Sequence, residues 1–267
     1  MNRTWLVLDC DNLAHRHLYA TASVMKTVGS DRQGMMHDGL RIGILHGFLS
    51  EVSYLRGHFH TDSVAFCFDG GESLRRRFCP EYKSARRLRM NVMSDWERAA
   101  KRELFRQMGL LREKYLPDAG VRNVFSVVGY EADDLIASIS SSLPTGDEAI
   151  LVSTDRDLYQ LLSHRVCIYD QRKKKQVTID SFLAEYRLHP KEWSRVKALA
   201  GCTTDSVQGV RGVGEITALK YFRGELGRTR KAYRAIVSPE GKALFQDNLP
   251  LVRLPFEGCP RLKLEQG

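Results

Sequence analysis

The chain has 267 residues and a formal net charge of +9, with 43% hydrophobic and 27% charged residues. That length can bury a sizeable core, and the composition excludes a mainly disordered chain. The cationic surplus suits a polyanion, nucleic acid or anionic membrane, yet no apolar run approaches the roughly 20 residues that span a bilayer.

The first apolar run, Trp5–Leu8, reads as a buried strand rather than a signal peptide. It ends at Asp9 in Leu-Asp-Cys-Asp-Asn. Asp11 lies beyond the strand end, reads as a turn residue and is left outside the candidate site. Leu40, Ile44, Leu45, Phe48, Val52 and Leu55 then recur at three- and four-residue steps, the spacing of a helix. A second strand, Val64–Phe68, is followed at once by Asp69 in Phe-Asp-Gly-Gly.

From Arg75 to Arg89 the chain carries Arg75, Arg76, Arg77, Lys83, Arg86, Arg87 and Arg89 against one acid, Glu81. A charge run is by default a solvated face. This one follows a candidate ligand and includes Tyr82, a pattern that also fits phosphate contacts with base stacking. Helical spacing returns at Leu104, Met108, Leu111 and Tyr115, and a strand is predicted over Val124–Val128.

Glu131, Asp133 and Asp134 open a predicted helix, where acids complement the helix dipole as readily as they hold a metal. Asp155 and Asp157 follow the strand Ile150–Val152 and either cap the next helix or serve as ligands. Val166–Tyr169 is a further strand, and Lys173, Lys174 and Lys175 read as an exposed turn.

Beyond about residue 175 the strand signal fades, and a domain change is placed near residue 190. Asp205 precedes a glycine cluster, Gly209, Gly212 and Gly214, that leads into the helical stretch Glu215–Phe222. Such glycines let backbone N–H groups approach a phosphate at a helix N-terminus. The cluster lacks the Lys-Ser/Thr ending of an ATP-binding loop and has no strand before it. Six cysteines, Cys10, Cys67, Cys79, Cys167, Cys202 and Cys259, form no C-x-x-C pair. This argues against a zinc site or disulfide framework and for reduced thiols in a cytosolic protein.

Strands alternating with helices imply an α/β fold with a mostly parallel sheet covered on both faces. Ligands bind such sheets beyond the carboxyl ends of the strands, so Asp9, Asp69 and Asp155 should share one edge. Two ionised carboxylates about 4 Å apart repel by roughly 4 kcal/mol at an effective dielectric near 20. Several on one edge need protons or cations, and oxygen ligands without a His/Cys set suit Mg²⁺ or Mn²⁺.

Together these motifs resemble, in order and over nearly the whole chain, the 5′-nuclease family: flap endonucleases, phage 5′-3′ exonucleases and the nuclease domains of bacterial DNA polymerases. The resemblance implies a PIN-like α/β nuclease domain over residues 1–190, with a helical arch at about 72–115. A helical duplex-binding region follows over 191–267. It implies two cation sites, the first from Asp9, Asp69, Glu131, Asp133 and Asp134, the second from Asp155, Asp157 and Asp205. Lys83 and Arg86 fall on the family's catalytic lysine and arginine.

Arg16, Tyr82 and Arg87 are the expected DNA contacts near the arch. Residues 209–218 resemble a helix-hairpin-helix that grips duplex backbone around K⁺, through Gly209, Val210, Gly212, Val213, Gly214 and Thr217. The implied activity is metal-dependent cleavage of DNA with a 5′ flap, a gap or a free 5′ end, by a monomer in the cytoplasm of a bacterial or phage-infected cell, with no membrane partner. One departure stands out. The family reads Gly-Asp-x-x-Asp-Asn where this chain has Gly201-Cys202-Thr203-Thr204-Asp205-Ser206, so the second cation is expected to bind weakly or through water. An RNase using the same acidic edge, and a branched-DNA-binding protein with weakened catalysis, stay open as alternatives.

Overall fold

The computed structural model describes residues 2–18, 36–37, 40–41 and 43–266. A six-stranded sheet, ordered β5-β4-β1-β6-β7-β8, organises it. The strands are β1 (Thr4–Asp9), β4 (Val64–Cys67), β5 (Val124–Phe125), β6 (Glu148–Val152), β7 (Val166–Asp170) and β8 (Lys175–Val177). Two further short strands, β2 (Met36–His37) and β3 (Leu40–Arg41), pair antiparallel by themselves. In the main sheet every pairing is parallel except β7 with β8.

Alternation along β1 explains why both faces must be covered. Trp5 and Val7 join one apolar cluster with Leu135, Ile136 and Ile139 of α7 (Ala132–Ser141). Leu6 and Leu8 join another with Leu13 of α1 (residues 10–18) and Phe48, Val52 and Leu55 of α2 (Gly43–Phe59). Successive strand side chains point to opposite faces, so a strand apolar at every position is buried on both sides.

Two short helices, α3 (Arg75–Phe78) and α4 (Ser84–Asn91), carry the basic run. Next, α5 (Asp95–Leu110) passes through a π-helical turn, Leu111–Tyr115, into α6 (Leu116–Asp118). A capping box at Ser94 and Glu97 starts α5, and its Leu104 and Met108 pack on the α2 side of the sheet.

The chain closes with α8 (Ile179–Tyr186), α9 (Trp193–Ala200), α10 (Glu215–Phe222), α11 (Lys231–Val237) and α12 (Pro239–Val252). Trp193, Val196, Leu199, Val210 and Val213 enter the same cluster as Trp5 and Leu135, so both halves of the sequence share one core. Among the described residues, no helix is long and apolar enough to cross a membrane.

Three local expectations change. Leu40 lies in β3, and α2 begins only at Gly43; the side chain of Leu40 is outside what the structure describes. The strand predicted over Val124–Val128 stops at Phe125, because Gly70 exchanges backbone bonds with Gly129 and Tyr130 instead. The lysine run is a turn only in part: Lys174 has φ of 51°, but Lys175 already pairs with Asp170 as the first residue of β8. A short, lysine-bearing edge strand of this kind discourages further strand pairing.

Candidate active site

The chain leaves β1 for β4 and β5 on one side, then returns to β6 and β7 on the other. The order in which strands are added therefore reverses beside β1, and the carboxyl ends of the parallel strands β1, β4 and β6 frame a crevice. It is a cleft of about 360 Å³ lined by Asp9, Asp11, Asp69, Glu131, Asp133, Asp155, Asp157 and Asp205, with Lys83 and Arg86 among the basic residues.

Each acid is fixed by local chain geometry. Asp9 ends β1, only 5% exposed, and accepts from Ser153 Oγ at 2.8 Å and the Asn12 N–H at 3.1 Å. Asp11 is in the first turn of α1, which starts without an intervening loop, and its Oδ2 accepts the Asp69 N–H at 2.8 Å. Asp69 in turn accepts the Ala132 N–H at 2.8 Å, joining the ends of β1, β4 and α7. Asp155 caps the 3₁₀ helix Arg156–Leu161 by accepting the Asp157 N–H at 2.8 Å, so it caps and lines the cleft at once.

Crowding shows in the proton affinities. Burial, then the charge of Asp69, raises Asp9 to about 8, against the bond from Ser153. Burial and Asp69 likewise raise Asp11 to about 7. Burial and Asp155 push Asp133 above the ordinary carboxylate range, and the same two causes hold Asp157 at about 6 despite Lys197. Glu131 goes the other way: burial would raise it, but Lys83 and Arg75 outweigh that and lower it. A cleft whose acids resist ionising for want of positive charge fits divalent cations.

The basic rim comes from the start of α4. Lys83 Nζ donates to Glu131 Oε1 at 2.6 Å, and Arg86 Nη2 donates to Asp205 Oδ1 at 2.7 Å. Lys83 holds a left-handed backbone, φ 56°, braced by its N–H on the Asp205 carbonyl at 2.7 Å. Side chains in that region cost of order 1–3 kcal/mol and cluster at functional sites.

Several expected residues lie elsewhere. Asp134 does not face the cleft. It is wholly buried, takes both guanidinium nitrogens of Arg75 at 2.7 Å and accepts the Phe256 N–H at 2.7 Å. Arg75, read as part of the basic run, is 2% exposed and serves this internal pair.

Tyr82 is 4% exposed, with its hydroxyl on Glu131 at 3.0 Å, so its ring offers no face for stacking a base. Arg87 bonds to the carbonyls of Tyr82 and Pro80, and Arg16 pairs with Glu51 of α2 at 2.9 Å; neither lines the cleft.

In the glycine loop, Val210 and Val213 bury their side chains, leaving only backbone for a ligand. Gly212, with φ of +75°, is exposed, as is Gly214 at the N-cap of α10, and Thr217 is half-buried in its first turn. Gly209 is half-buried where the loop passes the end of α9.

Two residues were missed. Asp11 carries a weak signal, standing two places after Asp9 where strand passes straight into helix. Lys197 carried none, since a lysine on an amphipathic helix reads as solvated. Folding puts its Nζ 2.8 Å from Asp157 Oδ1 with the side chain only 15% exposed.

Residues 4–187 match the model of the 5′-3′ exonuclease N-terminal, resolvase-like domain. The 5′-3′ exonuclease of Bacillus subtilis (strain 168) is 30% identical over 228 residues, covering 83% of this chain and 70% of that protein. DNA polymerase I of Rhizobium leguminosarum is 29% identical over 228 residues, 81% of this chain but 21% of the polymerase. The chain thus spans about a fifth of that relative. Among solved structures, T5 5′-exonuclease with divalent metal ions (zinc) bound superposes with a TM-score of 0.77 at 21% identity, covering 95% of this chain and 90% of that one. The catalytic core of Rad2 in complex with DNA substrate gives 0.53 at 12% identity, covering 100% and 83%. At these identities the structural likenesses speak for the fold.

Proposed function

The chain belongs to the 5′-3′ exonuclease family, and we propose that it is a divalent-metal-dependent 5′-nuclease acting on DNA with a 5′ flap, a gap or a free 5′ end. The observation that carries this reading is the convergence of Asp9, Asp11, Asp69, Asp133 and Asp155 on one cleft, with Lys83 and Arg86 among its walls. These acids come from β1, α1, the β4 end, α7 and the β6 end, so no local capping role accounts for them together.

Asp9, Asp69, Asp133 and Asp155, with Asp11 added, form an all-oxygen set that suits Mg²⁺, with Mn²⁺ as a substitute. Cations held there would acidify a bound water and offset charge on a phosphodiester. Lys83 and Arg86 hold the scissile phosphate and oppose the negative charge that grows on its oxygens during in-line attack. Because Glu131 and Asp205 fix both cations in place, little reorganisation is needed when the phosphate arrives.

The loop at Gly209, Gly212 and Gly214, with Thr217, receives duplex backbone at the start of α10. K⁺ would be held there by backbone carbonyls. Phosphate contacts carry no base information, so substrate choice follows DNA shape. The protein works as a monomer on cytoplasmic DNA.

A 5′-flap duplex with Mg²⁺ or Mn²⁺ tests the proposal. Cleavage near the junction, abolished by Asp9→Asn, is expected. Intact DNA under conditions where the protein binds it would leave only a branch-binding role, the rival that Cys202 supports. Matched RNA and DNA flaps address an RNase.

A further inference from the structure

Beside the cleft, folding brings Cys202 together with Asp157 and Asp205, two of the acids that the family resemblance assigns to the second cation site. Cys202, Asp157 and Asp205 each offer a ligand atom, and the three atoms lie within 4.8 Å of one another. Sulfur is a poor partner for Mg²⁺, which takes hard oxygen ligands, whereas thiolate favours softer cations.

The neighbours argue in the same direction. Lys197 Nζ stands 2.8 Å from Asp157 Oδ1, and Arg86 Nη2 2.7 Å from Asp205 Oδ1, while the Cys202 thiol contacts Asp205 Oδ2 at 3.2 Å. Two side-chain cations already offset these carboxylates, so a hard, hydrated ion gains little by entering. A thiophilic ion gains a metal–sulfur bond that neither Lys197 nor Arg86 can supply.

We propose that the site formed by Asp157, Cys202 and Asp205 selects a thiophilic divalent cation, Zn²⁺ over Mg²⁺, while the all-oxygen set at Asp9, Asp69 and Asp133 retains Mg²⁺ or Mn²⁺. Three protein ligands leave a fourth position open, the arrangement of catalytic rather than structural zinc. On binding, the S–H proton of Cys202 passes to solvent as the sulfur–metal bond forms. This rests on the proposed reading of the cleft as a cation site, but its test does not depend on cleavage.

The reduced full-length protein is titrated with Co²⁺ and with Cd²⁺, whose thiolate complexes show sulfur-to-metal charge-transfer absorption. One equivalent should produce the band, Zn²⁺ should displace Co²⁺ stoichiometrically, and Mg²⁺ in large excess should not. Cys202→Ser and Cys202→Asp should lose the band with unchanged far-ultraviolet circular dichroism, while Cys79→Ser and Cys259→Ser keep it. If either Cys202 variant fails to fold, the other, with the Mg²⁺ competition on the unmutated protein, still decides. No band at one equivalent, a band surviving in a folded Cys202 variant, or displacement by equimolar Mg²⁺ overturns the proposal. Flap cleavage in Mg²⁺ is scored separately. Cleavage without the band overturns only the zinc assignment, and the band without cleavage only the nuclease reading.

Discussion

Arg75 and Asp134 face each other in the interior through two parallel 2.7 Å hydrogen bonds, 59 residues apart in sequence. The pair ties α3 to α7. Arg75 Nε reaches the Leu251 carbonyl at 2.9 Å, and Phe256 donates to Asp134, so α12 and the C-terminal segment are joined as well. With the Glu131 N–H also on Asp134 Oδ2 at 3.1 Å, both carboxylate oxygens are occupied by the protein.

Asp134→Ala is therefore a stability variant. Removing one partner of a buried pair strands the other charge and costs about 3–5 kcal/mol. Denaturant unfolding should show that loss, while Mg²⁺ affinity of the folded fraction, followed by calorimetry, stays unchanged. A weakened metal titration with normal stability would return Asp134 to the ligands.

The cleft also predicts how pH and metal act together. Asp9 rises from 3.8 to about 8 and Asp11 to about 7, mainly through burial. A carboxyl with a folded pKa above its unfolded one favours the fold while protonated, fully below its unfolded value. That contribution disappears as pH climbs through the folded value. Without divalent cation, the cleft should thus destabilise the protein progressively between about pH 4 and pH 8. Cations bind the ionised carboxylates, so the melting-temperature difference between Mg²⁺ and a chelator should widen with pH over that window. A gap independent of pH would contradict the assignment of these acids to a cation site.

How much of this was legible in the chain depends on how local each cause is. Asp9, Asp69 and Asp155 could be placed on one edge because strand ends and parallel topology suffice to align them. Adjacent acids in a helix could not be sorted the same way. Asp133 and Asp134 point about 100° apart, and partners far away in sequence, Arg75 and Phe256, hold Asp134 as the one that turns inward. Tyr82 is similar: an aromatic in a basic run looks available for stacking until Glu131 takes its hydroxyl. Lys197 reaches Asp157 only through tertiary packing of α9 against the 3₁₀ segment Arg156–Leu161, for which no periodic pattern exists.

The glycine loop offers a contrast between packing and ligand approach. A Cβ at Gly209 would lie 2.2 Å from the Ala200 carbonyl oxygen, whereas one at Gly214 meets nothing within 4 Å. Gly209→Ala must push the loop off the end of α9 and should lower stability as well as duplex affinity. Gly214→Ala should fold normally and lose duplex affinity only if the start of α10 meets DNA backbone. Thermal melts paired with fluorescence anisotropy on a plain duplex separate the two. Full duplex affinity in Gly214→Ala would remove the contact from this helix start.

Lys83 combines a strained backbone with an ammonium held on Glu131, and two substitutions take these apart. Lys83→Ala and Lys83→Gly both remove the charge, so both should cut the single-turnover cleavage rate by ~10²–10³, the usual effect of deleting one transition-state donor. Flap affinity should change far less, because one phosphate contact among many is lost. The two variants part in stability: alanine keeps the left-handed penalty, whereas glycine escapes it, so glycine should be more stable by about 1 kcal/mol. Equal stabilities would mean that the left-handed turn relaxes once the Glu131 contact is gone, and equal cleavage to the unmutated protein would take Lys83 out of the chemistry. Both variants leave Glu131 the Tyr82 hydroxyl at 3.0 Å and the 3.6 Å contact to Arg75 Nη1, so the loss in Lys83→Ala relative to the parent measures the ion pair, and the difference between the two variants measures the backbone alone.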